Sequence, residues 1–338
     1  MANYSYTVLL AALAKLNESS NQDMRASNYG ATKTFNKYKR QVIQNYDEFN
    51  KVQNQSELQT KQIDYLRRDV QSVTNTRSAS LTGSYGLSTR DTLTFVTYAR
   101  EFSVSVGTAA NNVFKAAEML KNSMINARLD IGDAIETDAI AKLETFKNTT
   151  QGARTLGTWD AGASVQEFAI ADKTNYYNYI RSEMGVLNYN GRLQEVHTGN
   201  LDALRFFQIA QGTGNSANLQ FQYPDFDMET SNSITNASDY FGTSYVVPAQ
   251  SIALLDWIPG VNRAGLANHG IWDFASMADP FGIFDTMALA DTKTVINNTT
   301  VGGPQDPVYI YEMSVDVAFF IPTLTTGKLV NKFGLTLA

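Results

Sequence analysis

Apolar side chains recur every three or four residues along residues 113–146, the longest stretch of the chain with a single period. This spacing predicts an amphipathic α-helix with one apolar stripe. At a rise of about 1.5 Å per residue, such a helix is a rod roughly 50 Å long. Gly132 is its weakest helix former, because glycine costs about 1 kcal/mol relative to alanine. The charged side chains are predicted to lie mostly off the stripe, at Lys115, Glu118, Lys121, Asp130, Asp133, Glu136 and Lys142.

Two strand-like segments precede this helix. Residues 63–73 and 91–106 are rich in β-branched and aromatic side chains, and residues 75–90 between them are rich in Ser, Thr and Gly. The pattern predicts the two strands of a long hairpin with a polar tip. A hairpin of this length is marginal alone, so we expect another chain to support it.

The pattern after the helix is mixed. Residues 165–184 form a new periodic segment, and residues 193–211 are typical of a strand followed by a helix. From Leu219 onwards strands dominate, with a long loop before residues 281–290 and the clearest strand at residues 308–322. Strands at both ends of a helix-and-strand block predict an α+β chain whose ends meet in one domain.

Residues 24–49 are polar, basic and studded with aromatic side chains, with too few apolar positions for a core of their own. They predict an arm that lies on a neighbour, preceded by a helical segment at residues 4–16. Residues 1–100 carry 13 Lys or Arg against 8 Asp or Glu, whereas the rest of the chain carries 14 against 25. Opposite charges on two parts of one chain suit docking between copies.

Composition excludes several classes of function. The chain has no Cys and two His, so it offers no disulfide, no Cys nucleophile and no ordinary zinc site. A net charge of -6 argues against a dedicated nucleic-acid binder. No apolar run approaches the roughly 20 residues that span a bilayer. The first residues lack the basic region of a secretory signal.

Candidate cofactor and metal motifs are incomplete. Residues 212–217 match the form of a dinucleotide-binding loop, but they follow a predicted helix where that motif needs a strand, so a Gly-rich turn is favoured. Asp225, Asp227 and Glu229 alternate along one extended segment. Their carboxylates either hold Ca²⁺ or line a solvated strand edge. We expect no cofactor.

Catalytic candidates are equally sparse, and we expect no enzyme. His197 beside Glu195 could form an acid–base pair, but no nucleophile elbow accompanies it, so a surface or interface histidine is favoured. His269 is predicted to lie in a loop.

Basic and aromatic side chains interleave in the arm and could meet either nucleic acid or the acidic face of a second copy. We favour the second copy. The residues are Arg25, Lys33, Lys37, Lys39 and Arg40, beside Tyr29, Phe35 and Tyr38.

The order of basic arm, polar-tipped hairpin, long helix, mixed block and final strand resembles the major capsid proteins of tailed (Caudovirales-type) bacteriophages, the Hong Kong 97 fold. Residues 24–30 and 93–99 also resemble segments of capsid proteins from phages that infect Bacteroidetes. The resemblance implies an N-terminal arm (1–60), an extended loop (61–106), a spine helix of the peripheral domain (107–150), an axial domain (151–303) and a C-terminal strand returning to the peripheral domain (304–338).

The resemblance implies a structural protein that self-assembles into hexamers and pentamers of an icosahedral virion around double-stranded DNA. Its expected partners are its own copies, the packaged DNA, a portal and minor or decoration proteins, with no membrane, and assembly takes place in the host bacterial cytoplasm. Gly132 would be the point where the spine helix bends as the shell changes shape. Contacts between copies are expected at Arg25, Lys33, Lys37, Lys39, Arg40, Arg77, Tyr85 and Arg90.

Two alternatives remain open at this point. An encapsulin-like nanocompartment shell of the same fold would enclose cargo enzymes and no genome. A secreted carbohydrate-binding or hydrolytic protein would suit the many Tyr, Trp and Asn residues, but it lacks a secretory signal and a convincing carboxylate pair.

Overall fold

A computed structural model describes residues 29–55, 58, 60–66, 77, 88–105, 116–204, 226–257, 268–269, 272–277, 287–292, 295–297, 306–324 and 327–337. The helices are α1 (Gly30–Asn36), α2 (Lys39–Val42), α3 (Tyr46–Gln55), α4 (Ala116–Phe146), α5 (Tyr176–Val186) and a 3-10 helix at Ile170–Asn175, and residues 199–204 are also helical. The strands before α5 are β1 (Thr60–Leu66), β2 (Ser88–Thr94), β3 (Val96–Ser105), β4 (Thr158–Asp160) and β5 (Val165–Ala169). Those after it are β6 (Leu193–His197), β7 (Phe226–Thr230), β8 (Tyr240–Pro248), β9 (Ala253–Trp257), β10 (Asn268–His269), β11 (Trp272–Met277), β12 (Met287–Thr292), β13 (Val295–Asn297), β14 (Asp306–Phe320) and β15 (Asn331–Thr336).

The long helix α4 runs without a break for 31 residues and ends at the residue that the periodicity predicts. Residues 113–115, where it was expected to begin, lie outside the described residues. Its buried stripe confirms the predicted spacing. The apolar members of that stripe are Leu120, Met124, Ala127, Ile131, Ile135, Ala139 and Leu143. Two positions differ from the prediction, since Glu136 is buried with 1% exposure and Phe146 is 36% exposed.

A seven-stranded sheet lies against α4, with β14 as its long central strand. One edge of β14 pairs with β3, and the other edge pairs in succession with β13, β12 and β9, all antiparallel. Because side chains alternate along a strand, every second residue of β14 faces α4. Tyr311, Met313, Val315 and Val317 are the buried residues on that face. The strand before the long helix therefore meets the strand near the other end of the chain.

A second sheet has six strands in the order β4-β5-β15-β8-β6-β7. Its central strand β15 is parallel to β5 and antiparallel to β8. The helix α5 covers this sheet through a core that includes Tyr176, Ile180 and Phe333. Residues 304–338 therefore contribute to both sheets, with β14 in the first and β15 in the second.

The strands β1 and β2 form a hairpin, with Thr60 opposite Thr94 and Leu66 opposite Ser88. Its second strand differs from the prediction of residues 91–106, because β2 ends at Thr94 and β3 pairs with β14 in the seven-stranded sheet. The base of this hairpin packs on the chain's own seven-stranded sheet, so the expectation that only another chain supports it is wrong for the base. Ile63, Tyr65, Leu93 and Phe95 contact Ala253, Leu255, Trp257, Ala318 and Phe320 there. In the connection between the two strands, residue 77 alone is described.

Several other segments differ from the sequence pattern. Residues 165–184 are not one periodic unit, because the strand β5, a 3-10 helix and α5 follow one another there. The long loop predicted after Trp257 contains β10 and β11, so His269 lies in a short strand opposite Trp272. The helix predicted up to residue 211 is described only to residue 204. No helix in the described ranges is both long and apolar enough to cross a membrane.

The arm also departs from its prediction. Residues 29–55 form three helices that lie on the chain's own body, and Tyr29, Ala31 and Phe35 are buried in the same core as α4. Gly30 allows this approach, because a Cβ there would lie 2.3 Å from the carbonyl oxygen of Thr230. The expectation that these residues need a neighbour is wrong for α1.

Gly132→Ala tests how closely the arm packs on α4. A Cβ at this position would lie 2.8 Å from Tyr29 Cζ and 2.8 Å from Arg128 Nη1. Overpacking of a filled site costs about 1–3 kcal/mol, and the gain in helix propensity is at most about 1 kcal/mol. We therefore expect a lower free energy of unfolding, measured by urea denaturation.

The matched control is Gly185→Ala in α5, where the new Cβ would meet only Asn190 Oδ1 at 3.5 Å. This variant should keep the stability of the parent or gain up to about 1 kcal/mol. Equal stability of the two variants would contradict the packing role of Gly132.

Candidate functional site

The point where the arm crosses the long helix is built around one buried carboxylate. Glu136 Oε1 accepts a hydrogen bond from the backbone N–H of Ala31 at 2.8 Å. Glu136 Oε2 accepts one from the N–H of Thr32 at 2.8 Å and one from its hydroxyl at 2.7 Å. The negative charge thus satisfies the first donors of α1, at the end of the helix where an anion is favourable. We call this contact the arm junction.

Tyr29 completes the arm junction. Its ring occupies the space beside Gly132, and its hydroxyl donates to the carbonyl of Leu129 at 3.4 Å. Burial, and then the nearby charge of Asp133, raise the pKa of Tyr29 well above its usual value. The hydroxyl therefore keeps its proton at neutral pH. Arg128, with 0% exposure, also lies beside Gly132 and adds a buried positive charge.

The basic residues after α1 pair with acidic residues of the same chain. Lys37 Nζ lies 3.0 Å from Asp227 Oδ1, and Arg192 Nη2 lies 2.5 Å from the same oxygen. Tyr38 donates its hydroxyl proton to Asp227 Oδ2 at 2.5 Å. Burial raises the pKa of Asp227, but the hydrogen bonds from Tyr38 and Lys37 and the positive charges outweigh it and lower the pKa overall.

These contacts correct the two interpretations of the acidic segment. Asp227 is 7% exposed and its oxygens face cations of the protein, so it neither lines a solvated edge nor offers free oxygens to Ca²⁺. Glu229 is half-buried, and Asp225 lies outside the described residues. In the described ranges, no group of three or more His, Cys, Asp or Glu side chains is arranged to hold a metal ion.

The other predicted contact residues have varied positions. Lys39 Nζ lies 3.0 Å from Asp256 Oδ1, and the Arg40 guanidinium lies 5.8 Å from the centroid of the Tyr46 ring. Lys33 and Arg77 are exposed. Arg90 pairs with Asp64 directly opposite on the hairpin at 2.8 Å. Arg25 and Tyr85 lie outside the described residues. Contacts of all these residues with other copies stay a prediction.

The candidate acid–base pair is closed to solvent. His197 and Glu195 are both 0% exposed, with His197 Nδ1 3.9 Å from Glu195 Oε1 and Nε2 3.7 Å from Asp202 Oδ1. The expectation of a surface or interface histidine is therefore wrong. Its physical reason is the position of β6 inside the six-stranded sheet, between β7 and β8. A dissolved substrate has no access to these side chains. The Gly-rich residues 212–217 lie outside the described ranges.

A groove of about 590 Å³ lies between the hairpin base, the second half of α4 and the end of β14. The hydroxyl of Tyr98 donates to the carboxylate of Asp138 within it, and Lys142 adds a positive charge. Val96 is 50% exposed and Phe146 is 36% exposed at its rim. The groove is thus lined by both polar and apolar side chains.

The sequence pattern missed the arm junction, although one signal was present. Arg128, Gly132 and Glu136 are spaced by four and therefore share one side of α4. That side holds a cation, a residue without a side chain and an anion beside the apolar stripe. Such a row is typical of a site where another segment crosses closely.

No protein-family model matches the chain, and no curated protein matches it in sequence. Solved structures with a similar course of the chain include one titled Mycobacterium phage Che8, with 10% identity, a TM-score of 0.49, and coverage of 86% of this chain and 89% of that one. The capsid of Ralstonia phage GP4 has 8% identity, a TM-score of 0.43 and coverage of 83% and 84%. The mature capsid of bacteriophage PhiM1 has 12% identity, a TM-score of 0.44 and coverage of 85% and 84%. The Bacteroidetes host stays a prediction.

Glu136→Gln tests the arm junction. The change keeps the size of the side chain but removes the charge and one acceptor oxygen, so α1 loses charge-assisted hydrogen bonds. We expect the free energy of unfolding to fall by about 1–3 kcal/mol. Trypsin should also cut faster after Lys33 and Lys37, because α1 leaves the body more often.

Asp130→Asn on the exposed side of the same helix is the control, since its ion pair with Arg100 is more than half exposed. Exposed pairs contribute less than about 1 kcal/mol. Equal trypsin cleavage rates in the two variants would contradict the role of Glu136.

Asp227→Asn tests the pH dependence of the arm contacts. The lowered pKa of Asp227 means that its ionised form stabilises the fold above the unfolded value of about 3.9. This contribution is lost as the pH falls through the folded pKa. The difference in unfolding free energy between parent and variant should therefore be largest near neutral pH and shrink below about pH 4. Urea unfolding over this range measures it, and a difference that grows on acidification would contradict the assignment.

Proposed function

We propose that this protein is the major capsid protein of a tailed bacteriophage and has the Hong Kong 97 fold. Copies would form hexamers and pentamers of an icosahedral shell in the host cytoplasm and remain in the virion. The shell would enclose double-stranded DNA, which it meets through non-specific charge. Its further partners would be a portal and minor or decoration proteins. The role is structural and needs no catalysis.

One observation carries this proposal: the described part of the hairpin β1–β2 is held on the body along one face, and its two strands are joined by the long, polar 67–87 connection. Its buried residues all lie on one face, in the contact with β9 and β14. Beyond that contact the strands continue to Leu66, which is 65% exposed, and to the 67–87 connection. A two-stranded ribbon gains little stability by itself. The polar 67–87 connection would therefore suit a surface on another copy.

The rest of the body supports this proposal because it acts as a frame for the hairpin. The helix α4 lies against the seven-stranded sheet, and the arm is held to α4 by Glu136. Ile43, with Val42, Tyr46 and Phe49 of the arm helices, packs into the hairpin base. The direction in which the hairpin leaves the body is thus determined by buried contacts. Identical copies whose hairpins all project in the same direction can form a closed shell, because the same contact between neighbouring copies is repeated.

The domains follow from this proposal. Residues 1–60 would be the arm, 61–106 the extended loop, 107–150 the spine helix, 151–303 the axial domain and 304–338 the segment that returns to the peripheral domain. Within the arm, α1 to α3 lie on their own copy, so a reach to a neighbour would fall to other residues of the arm.

Shortening the hairpin tests the proposal. Leu66 and Ser88 lie opposite each other, so an Asn-Gly turn can replace residues 67–87 and close the hairpin in its present register. The parent should form uniform hollow particles in negative-stain microscopy. The shortened variant should stay unassembled, because it has lost the part that reaches the next copy.

Circular dichroism and urea unfolding of the shortened variant should match the unassembled parent, since every buried contact of the hairpin base is kept. A parent that remains a monodisperse monomer would reject the shell function. Normal particles from the shortened variant would show that the hairpin end is not needed.

A further inference from the structure

The connection between α5 and β6 contains a dipeptide with its own chemistry. Asn190-Gly191 is the only Asn-Gly pair in the sequence. In such a pair the glycine amide nitrogen can attack the side-chain carbonyl carbon Cγ of the asparagine and close a five-membered ring. Glycine has no Cβ to obstruct this approach. Ring closure is slow where the pair is buried or where the glycine N–H is held in a hydrogen bond.

Neither obstacle is present in this connection. Asn190 and Gly191 are both exposed. The N–H of Gly191 and the side-chain amide of Asn190 form no hydrogen bond with any residue that the structure describes. The chain is held on both sides, since the N–H of Tyr189 donates to the carbonyl of Met184 at 2.8 Å and β6 begins at Leu193. The reacting groups therefore lie at the exposed tip of an ordered turn.

Arg181 of α5 places a positive charge on the reacting peptide group. Its Nη2 donates to the carbonyl of Asn190 and its Nη1 to the carbonyl of Gly191, both at 2.7 Å. The carbonyl of Asn190 and the N–H of Gly191 belong to the same peptide group. When this N–H loses its proton, the negative charge is shared with the carbonyl oxygen, where the guanidinium stabilises it. Arg181 thus favours the form of the amide that attacks Cγ.

We propose that Asn190-Gly191 is a site of spontaneous deamidation through a succinimide ring, activated by Arg181. Hydroxide takes the proton of the Gly191 N–H, and the nitrogen forms a bond to Asn190 Cγ. The bond from Cγ to Nδ2 breaks, and Nδ2 leaves as ammonia with a proton from water, which regenerates hydroxide. Water then opens the ring at one of its two carbonyl carbons. In total one water is consumed, one ammonia is released, and Asn190 becomes aspartate or isoaspartate.

Arg181 also determines which product dominates. The carbonyl of Asn190 that it contacts becomes one of the two ring carbonyls, and polarisation by the guanidinium directs water to that carbon. Opening there leaves the main chain running through Cγ, which is isoaspartate, with its new α-carboxylate beside Arg181. A contact between a carbonyl and a guanidinium is thereby replaced by an ion pair. The reaction takes place within one chain, so the inference goes beyond the shell function and does not depend on it.

Peptide mapping by mass spectrometry tests the site on the full-length protein. Incubation should replace the side-chain NH₂ of Asn190 by OH, at a rate that rises with pH because the deprotonated amide reacts. Asn232-Ser233 is an internal control, since Asn232 is also exposed but the N–H of Ser233 donates to Ser231 Oγ at 3.3 Å. It should convert at least about tenfold more slowly, because this hydrogen bond and the serine side chain both oppose ring closure. Equal rates at the two sites would overturn the inference.

Variants of Arg181 test its role separately from the dipeptide. Arg181→Gln should slow the conversion of Asn190 about tenfold, because a charge-assisted hydrogen bond to the reacting amide is lost. The share of isoaspartate in the product, measured by enzymatic methylation, should fall as well. Arg181→Lys should lie between the parent and the glutamine variant, since it keeps the charge but not the two-pronged contact. Equal or faster conversion in Arg181→Gln would show that the arginine only holds the turn, and would overturn the activation.

Gly191→Ala tests the succinimide route without disturbing the fold. A Cβ at this position would meet no atom within 4 Å, so the variant should give the circular dichroism spectrum and urea unfolding curve of the parent. Its conversion at Asn190 should nevertheless fall several-fold, because the new methyl group hinders attack of the amide nitrogen on Cγ. Conversion at the parent's rate would point to direct hydrolysis of the side chain and overturn the proposed ring closure.

Discussion

The carboxylate of Glu136 lies inside the protein and accepts hydrogen bonds from a helix that begins more than a hundred residues earlier in the chain. A buried charge is costly unless hydrogen-bonded partners compensate it. Because α4 turns Glu136 inward, the arm must supply those partners for the core to be favourable. The arm in turn continues into the hairpin base through Ile43. The position of the hairpin base is therefore coupled to the hydrogen bonds of one buried carboxylate.

The packing of α4 and the hairpin base on one sheet also determines the direction in which the hairpin leaves the body. The seven-stranded sheet is covered on one face by α4 and on part of the other by the hairpin base. On that second face Glu101 and Glu312 lie opposite each other, away from the residues that the hairpin base contacts.

Local periodicity was sufficient to predict the long helix, because the helix is defined by the spacing of side chains along one segment. It predicted that a hairpin is present but not that residues 91–106 divide between the hairpin and the seven-stranded sheet. It could not predict the burial of Glu136, whose partners Ala31 and Thr32 are far away in sequence. The same limit applies to His197, which is buried by the order of strands in its sheet and not by its neighbours in sequence. The acidic partners of Lys37 and Lys39 were expected on another copy for the same reason. The sequence shows how many basic and acidic residues a segment carries. Which of them pair depends on the folded path of the chain.

The strands β14 and β15 follow each other in the chain but belong to different sheets, and this affects the order of folding. The strand β14 is central in one sheet, and β15 lies between β5 and β8 in the other. Both sheets therefore depend on pairings between residues far apart in sequence, which gives the chain a high contact order and slow folding. Neither sheet has its central strand until residues 306–336 are in place. Until then β3 and β8 lack their partner strands β14 and β15, and slow pairing of this kind leaves unpaired strand edges exposed.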